Sequence, residues 1–400
     1  MPEVNRRKFL IASAGVGALG VAGAVGITLP QLLDAGRDRP RDPDHGVLVI
    51  VTLYGGNDGL STVVPLADGA YHDARPDLAY APTELLALDA EYGLNPALKG
   101  LANLWHDQHL AVVRGVGYPN QDRSHFRSMD IWQTASPAAP VGTGWIGRWL
   151  DATGDDPVRA VNIGPVLTPM AVGKKQSASA LSESLPPVDR DWRTTLTALA
   201  AEDPSDTPAM SGVCASYRAS NRSDSAFRPV TLGADPTATA TDANQLVDDL
   251  DLVAKCIRAH VPTQVYMVDL LGFDTHADER GTQQALLQKL DDALTPFMQK
   301  MRASEQGKNV VVMVYSEFGR RVAANASQGT DHGTSAPVLV LGRSIKGGFY
   351  GDQPSLTDLT DGDLKTTTDF RDVYSELLTG VLHTDPVPSV GPGRRSLGFL

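Results

Sequence analysis

The segment Gly329-Thr330-Asp331-His332-Gly333 sets a carboxylate beside an imidazole and fixes both between glycines. Apolar runs flank it, Val310 to Val314 before and Pro337 to Leu341 after, so the pair sits in a loop joining two expected buried strands. Such a pair can ligate a divalent metal or move a proton. Four more loops carry residues of the same kinds. They are Gly55-Gly56-Asn57-Asp58-Gly59, Asp122-Arg123-Ser124-His125-Phe126, Gly272-Phe273-Asp274-Thr275-His276 and Ser316-Glu317-Phe318-Gly319-Arg320-Arg321.

Imidazole together with carboxylate suits a borderline ion, Zn²⁺ or Mn²⁺, better than Ca²⁺, the other candidate. Asp58, Asp274, His276, Asp331 and His332 supply donors for one or two ions. Each also has an ordinary structural reading, because Asp closes Gly-rich turns and caps helices and His bonds within ordered loops. Ser124 opens an expected helix through Met129 and Trp132, where backbone N–H groups favour an anion. It is a candidate nucleophile or an N-cap, and His125 is an acid, a base or a loop fastener. Arg320 can pair an anionic oxygen through two N–H groups, or else pair Glu317.

Strands must hold these loops together. Val47 to Tyr54, Leu110 to Val116, Val158 to Ile163, Gln264 to Asp269, Val310 to Val314 and Pro337 to Leu341 read as buried strands, and helical patterns lie between them. Leu286, Leu290, Leu294, Phe297 and Met301 mark one face of a long helix from about 281 to 302. The alternation predicts a three-layer α/β/α sandwich around a mostly parallel sheet. In such sheets functional loops gather at the carboxyl ends of the strands, which would bring Asp58, Ser124, Asp274, His276, Glu317, Arg320, Asp331 and His332 to one edge.

The 400 residues are 42% hydrophobic and 20% charged, enough for one large α/β domain over 36–400. A Ser/Thr/Asp/Pro-rich stretch at about 175–245 reads as an insertion. The net charge of −12 argues against nucleic acid as a partner. Asn5-Arg6-Arg7-Lys8-Phe9-Leu10, followed by an apolar Gly/Ala-rich run to Leu29, reads as a twin-arginine export signal over 1–35, with Ala22-Gly23-Ala24 or Leu33-Asp34-Ala35 as cleavage site. The expected partners are then the twin-arginine translocase during export and an anionic ester as substrate. The expected location is extracytoplasmic (periplasm, cell wall or secreted), with no stable membrane span after cleavage. Gly36 to Gly46 reads as a charged linker, and Cys256 lies on an apolar helix face that allows either a buried thiol or a bridge to Cys214.

The order of the arginine pair, Gly-Gly-Asn-Asp-Gly-Leu-Ser, Ser-His-Phe with Trp132, Phe-Asp-Thr-His, Ser-Glu-Phe-Gly-Arg and Gly-Thr-Asp-His-Gly resembles the exported bacterial family DUF1501. That family is distantly similar to the alkaline phosphatase and sulfatase superfamily. The resemblance implies an alkaline-phosphatase-like core, Asp331-His332 as a metal pair, Asp58 as the first-strand ligand, Asp274 with His276 at a second metal, and Ser124 as nucleophile. The Asp-x-His spacing at 274–276 is shorter than the superfamily's Asp-x-x-x-His, and its Cys-x-Pro-x-Arg motif is absent. A metal-dependent phosphate or sulfate ester hydrolase is therefore expected. The alternative is a non-catalytic extracytoplasmic binding or scaffold protein that keeps the fold.

Overall fold

A computed structural model describes residues 25–27, 29–42, 44–154, 156–164, 167–181 and 244–400. The principal strands are β1 (Val25–Ile27), β2 (Val47–Tyr54), β3 (Leu110–Gly117), β4 (Ala160–Ile163), β5 (Ser179–Leu181), β6 (Val265–Leu271), β7 (Val310–Tyr315), β8 (Ala336–Gly342), β9 (Gly348–Tyr350) and β10 (Thr368–Asp369). They form one sheet in the order β1-β5-β4-β6-β2-β7-β8-β3-β9, with β10 also on β3. Among the described residues of this sheet, only β8 runs against the rest, antiparallel to both β7 and β3. The sheet is thus mostly parallel, as the continuous apolar runs require.

Alternate strand residues face two separate cores. Val47, Val49, Val51 and Leu53 of β2 join Val310, Val312 and Val314 of β7 on one face, under α1 (Leu29–Asp38), α2 (Lys99–His106), α5 (Gln245–Arg258) and α6 (Glu279–Arg302). Leu48, Ile50, Val311, Met313 and Tyr315 point the other way, into a core closed by α3 (His125–Thr134), α4 (Trp145–Thr153) and α7 (Phe370–Gly380). Three layers result. On α6 the fully buried stripe is Leu287, Leu290, Leu294, Phe297 and Met301, and Leu286 is only partly buried at its edge.

Two expected boundaries move. The stretch 36–46 is not all linker: α1 extends through Gly36 to Asp38, because Leu32 is fully buried and Gly36 passes so close to Ala259 that a Cβ would lie 2.7 Å from its carbonyl oxygen. The expected insertion at 175–245 contains β5, an interior strand of the sheet paired with β4 and β1. Residues 182–243, including Cys214, lie outside the described residues, as do residues 1–24 and 28 of the signal expected over 1–35. Cys256 is buried, and its thiol is pushed up to about 12 by that burial.

Candidate metal centre

The carboxyl ends of β6, β2, β7 and β3 and the amino end of the reversed β8 share one edge. Because β8 turns back there, its leading loop arrives beside those of its neighbours, and His332 meets residues more than fifty positions away. The loop after β2 must pass very close to the loop after β6. Gly55, at φ +118°, allows this, since a Cβ would lie 2.5 Å from the Asp274 nitrogen.

Four side chains converge at this edge. His125 Nε2 lies 3.0 Å from His332 Nε2, and His276 Nε2 lies 2.9 Å from the same atom. Asp274 Oδ1 is 3.1 Å from His332 Nε2, 2.9 Å from His276 Nε2 and 3.5 Å from His125 Nε2. His125, Asp274 and His332 each offer a ligand atom within 4.8 Å of the other two. His276 flanks this trio.

The outer ring nitrogens explain the arrangement. His125 Nδ1 faces Glu317 Oε1 at 2.8 Å, and His332 Nδ1 faces the Arg123 carbonyl at 2.8 Å. A carbonyl and a carboxylate only accept, so both Nδ1 atoms carry a proton, and in the neutral form of the rings the Nε2 lone pairs turn toward each other. His276 Nδ1 is 3.5 Å from Asp331, a looser version of the same support. Lone pairs about 3 Å apart repel unless a cation lies between them. Four ligands at about 2.05 Å around a tetrahedral Zn²⁺ would lie roughly 3.3 Å apart, close to these separations. Outer-nitrogen fastening is also how metal-ligating histidines are oriented. The donors fit a divalent ion.

Burial tends to raise the Asp274 carboxyl, but the hydrogen bond and charge of Arg320, with the imidazoles around it, outweigh burial and hold the group at about 2. His125 is raised, first by its bond to Glu317. Asp331 is lowered, chiefly by Asn325 and then by His276 and the Arg321 charge. Phe318, fully buried, packs under the His125 and His332 rings at centroid distances of 4.8 and 4.9 Å.

The geometry redistributes several expected roles. His125, read from sequence as an acid, a base or a fastener, stands in the converging cluster. Asp331 stands one step out, exposed, bonded to Asn325 and near His276. Asp58 does not join the cluster: fully buried, it forms two bonds with Arg75 at 2.5 and 3.0 Å and caps the short helix Gly59–Thr62. Arg75 comes from the end of the helix Gly69–Ala74 and is itself fully buried. Burial would raise the Asp58 carboxyl, yet Arg75 keeps it below its ordinary value. Glu279 lies against the same pair, accepts the Thr330 hydroxyl at 2.6 Å, and is pushed up to about 9 by burial and by Asp58.

Arg320 is not free to meet a substrate. Its N–H groups donate to the carbonyls of Gly55, Gly56, Phe273 and Thr330 and, at 2.9 Å, to Asp274. It fastens three loops and orients Asp274. Glu317 pairs with His125 and the Gly55 N–H rather than with an arginine. Ser124 stands exposed at the start of α3 and its hydroxyl makes no capping bond. Sequence reasoning missed Arg75 and Glu279 as partners of Asp58, because nothing in local spacing ties them to it.

Among solved structures, the chain is similar to a protein of the alkaline phosphatase superfamily from Vibrio parahaemolyticus, at 12% identity over 97% of this chain and 78% of that one, TM-score 0.38. It is also similar to the lipoteichoic acid synthase LtaP of Listeria monocytogenes, at 10% identity over 94% and 81%, TM-score 0.37. Murine ectonucleotide pyrophosphatase/phosphodiesterase 5 gives 11% identity over 88% and 97%, TM-score 0.37. A search of curated protein sequences found no match. The family model described as protein of unknown function, DUF1501, matches residues 111–383, a span that holds every member of the converging cluster, and the chain belongs to that family.

Proposed function

We propose that this chain is an exported, metal-dependent hydrolase of phosphate or sulfate esters. The observation that carries the reading is the convergence of three imidazole nitrogens and the Asp274 carboxylate, with the His125 and His332 rings fastened from behind by acceptors. His125, Asp274 and His332 would hold the ion, with His276 closing the set; three imidazoles and one carboxylate favour Zn²⁺ or Mn²⁺ over Ca²⁺. A divalent ion there would supply positive charge to polarise a phosphoryl or sulfuryl oxygen.

The remaining residues would position and attack. Arg320 and Glu317 fix the orientation of Asp274 and His125, so the ligand set stays in place through a turnover. Ser124 precedes a ligand and has an exposed hydroxyl at a helix start, which suits it as nucleophile. The expected twin-arginine signal supports an extracytoplasmic location, and among the described residues no helix is long and apolar enough to cross a membrane.

The test is hydrolysis of aryl phosphate and aryl sulfate esters by the mature protein with added Zn²⁺ or Mn²⁺. Turnover that disappears in His332→Ala and falls at least a hundredfold in Ser124→Ala is expected. A metal-loaded protein that turns over neither ester class would instead favour the binding-protein reading. The removal of Asp58 from ligation by Arg75 and the saturated donors of Arg320 are the observations on that side.

A further inference from the structure

Beside the converging cluster lies a second charged assembly that the ligand set does not use. Asp363 is buried, with 1% of its side chain exposed, yet it receives two guanidiniums: Arg123 on Oδ2, and Arg321 on Oδ1 at 3.2 Å. Arg321 also donates to the Asp361 carbonyl. Asp363 ends a tight turn, Thr360-Asp361-Gly362-Asp363, whose outer residues exchange both backbone bonds. Its central residues have φ of +52° and +85°, which is why Asp-Gly stands there.

Both arginines are tied to the cluster through their backbones. The Arg123 carbonyl accepts His332 Nδ1–H, and the Arg321 N–H donates to the Asp331 carbonyl at 3.0 Å. Their side chains remain partly open, 43% exposed for Arg123 and 34% for Arg321. Two guanidiniums share one buried carboxylate, with the exposed Asp331 carboxylate near Arg321, and both forks keep spare N–H groups on their partly open side chains. Arg320, by contrast, has spent its donors on backbone carbonyls and Asp274.

We infer that Arg123 and Arg321, set in place by Asp363, form an anion subsite that recognises a second, non-reacting anionic group on the substrate. This deepens the hydrolase reading and rests on it: Asp363 holds both forks while their backbones touch His332 and Asp331, so a group they meet is separate from one held at the ligands. The favoured substrates are esters bearing two anionic groups.

The experiment compares calorimetric binding of glycerol monophosphate and glycerol bisphosphate to the mature protein, with metal content measured on each sample. Wild type should bind the bisphosphate about tenfold more tightly. Arg123→Met and Arg321→Met should each erase most of that preference, with monophosphate affinity, bound metal and far-UV circular dichroism unchanged. Arg123→Lys and Arg321→Lys, which keep the charge and lose the fork, should retain part of it, and they serve if a Met variant does not fold. Equal affinities in wild type, or a preference that survives in folded variants of both arginines, would overturn the proposal. The preference found in protein that takes up no metal would support the arginine pair while contradicting the metal reading alone.

Discussion

His332 is the hub of the site: its Nε2 lies within 3.1 Å of two other imidazole nitrogens and a carboxylate oxygen, and its Nδ1 is held by a backbone carbonyl. Asp58 shows how differently a carboxylate of the same expected role can end up. With both oxygens engaged by Arg75 in full burial, removing the charge strands a guanidinium, which costs about 3–5 kcal/mol. Asp58→Asn should therefore lower the denaturation midpoint sharply while bound metal stays at wild-type level; loss of metal at unchanged stability would restore Asp58 as a ligand. Glu279 gives a pH test. Its carboxyl is raised from 4.5 to about 9 in the folded chain, so between these values the unfolded form is ionised while the folded form keeps its proton, and stability falls as pH rises. Glu279→Gln should flatten the melting temperature across that window; an unchanged slope would show that the carboxyl is ionised in the fold. Of these residues, the loop Asp and His were legible in the sequence because glycine-bounded loops after apolar runs mark strand ends. The Arg75 pairing was not, since it depends on how a short helix folds back over the loop after β2.

The strands were legible because burial on both faces forces continuous apolar runs, and β2, β3, β7 and β8 fall within two residues of their expected bounds. The reversal of β8 was not legible, because an apolar run carries no direction. It matters for function: the reversal places the amino end of β8, and so His332, at the edge where the other strands end. The placement of β5 was hidden for a related reason, since three residues in a polar stretch gain strand structure only from β4 and β1 beside them. Were the expected signal cleaved after Ala22-Gly23-Ala24, the chain would begin at Val25, the first residue of β1, whereas cleavage after Ala35 would remove the strand and divide α1. Edman sequencing of exported protein should begin at Val25; a start at Gly36 would show that the strand pairing with β5 is dispensable.

At the scale of the whole molecule, the candidate ion would join loops from distant parts of the chain: His125 at the start of α3, Asp274 and His276 after β6, and His332 before β8. It would also tie α3, which closes one core, to loops at the edge between the two cores. An ion that binds only the assembled chain adds to global stability in proportion to the logarithm of its free concentration over its dissociation constant. With a net charge of −12, recognition of an anionic ester would fall to local cations. The central claim is that these side chains exist to hold a metal, and elemental mass spectrometry of the purified mature protein tests it most directly. We predict about one equivalent of Zn or Mn in wild type and loss of nearly all of it in His332→Ala with unchanged circular dichroism. A folded wild type that takes up no metal on reconstitution, or a His332→Ala protein that retains the full complement, would contradict the account.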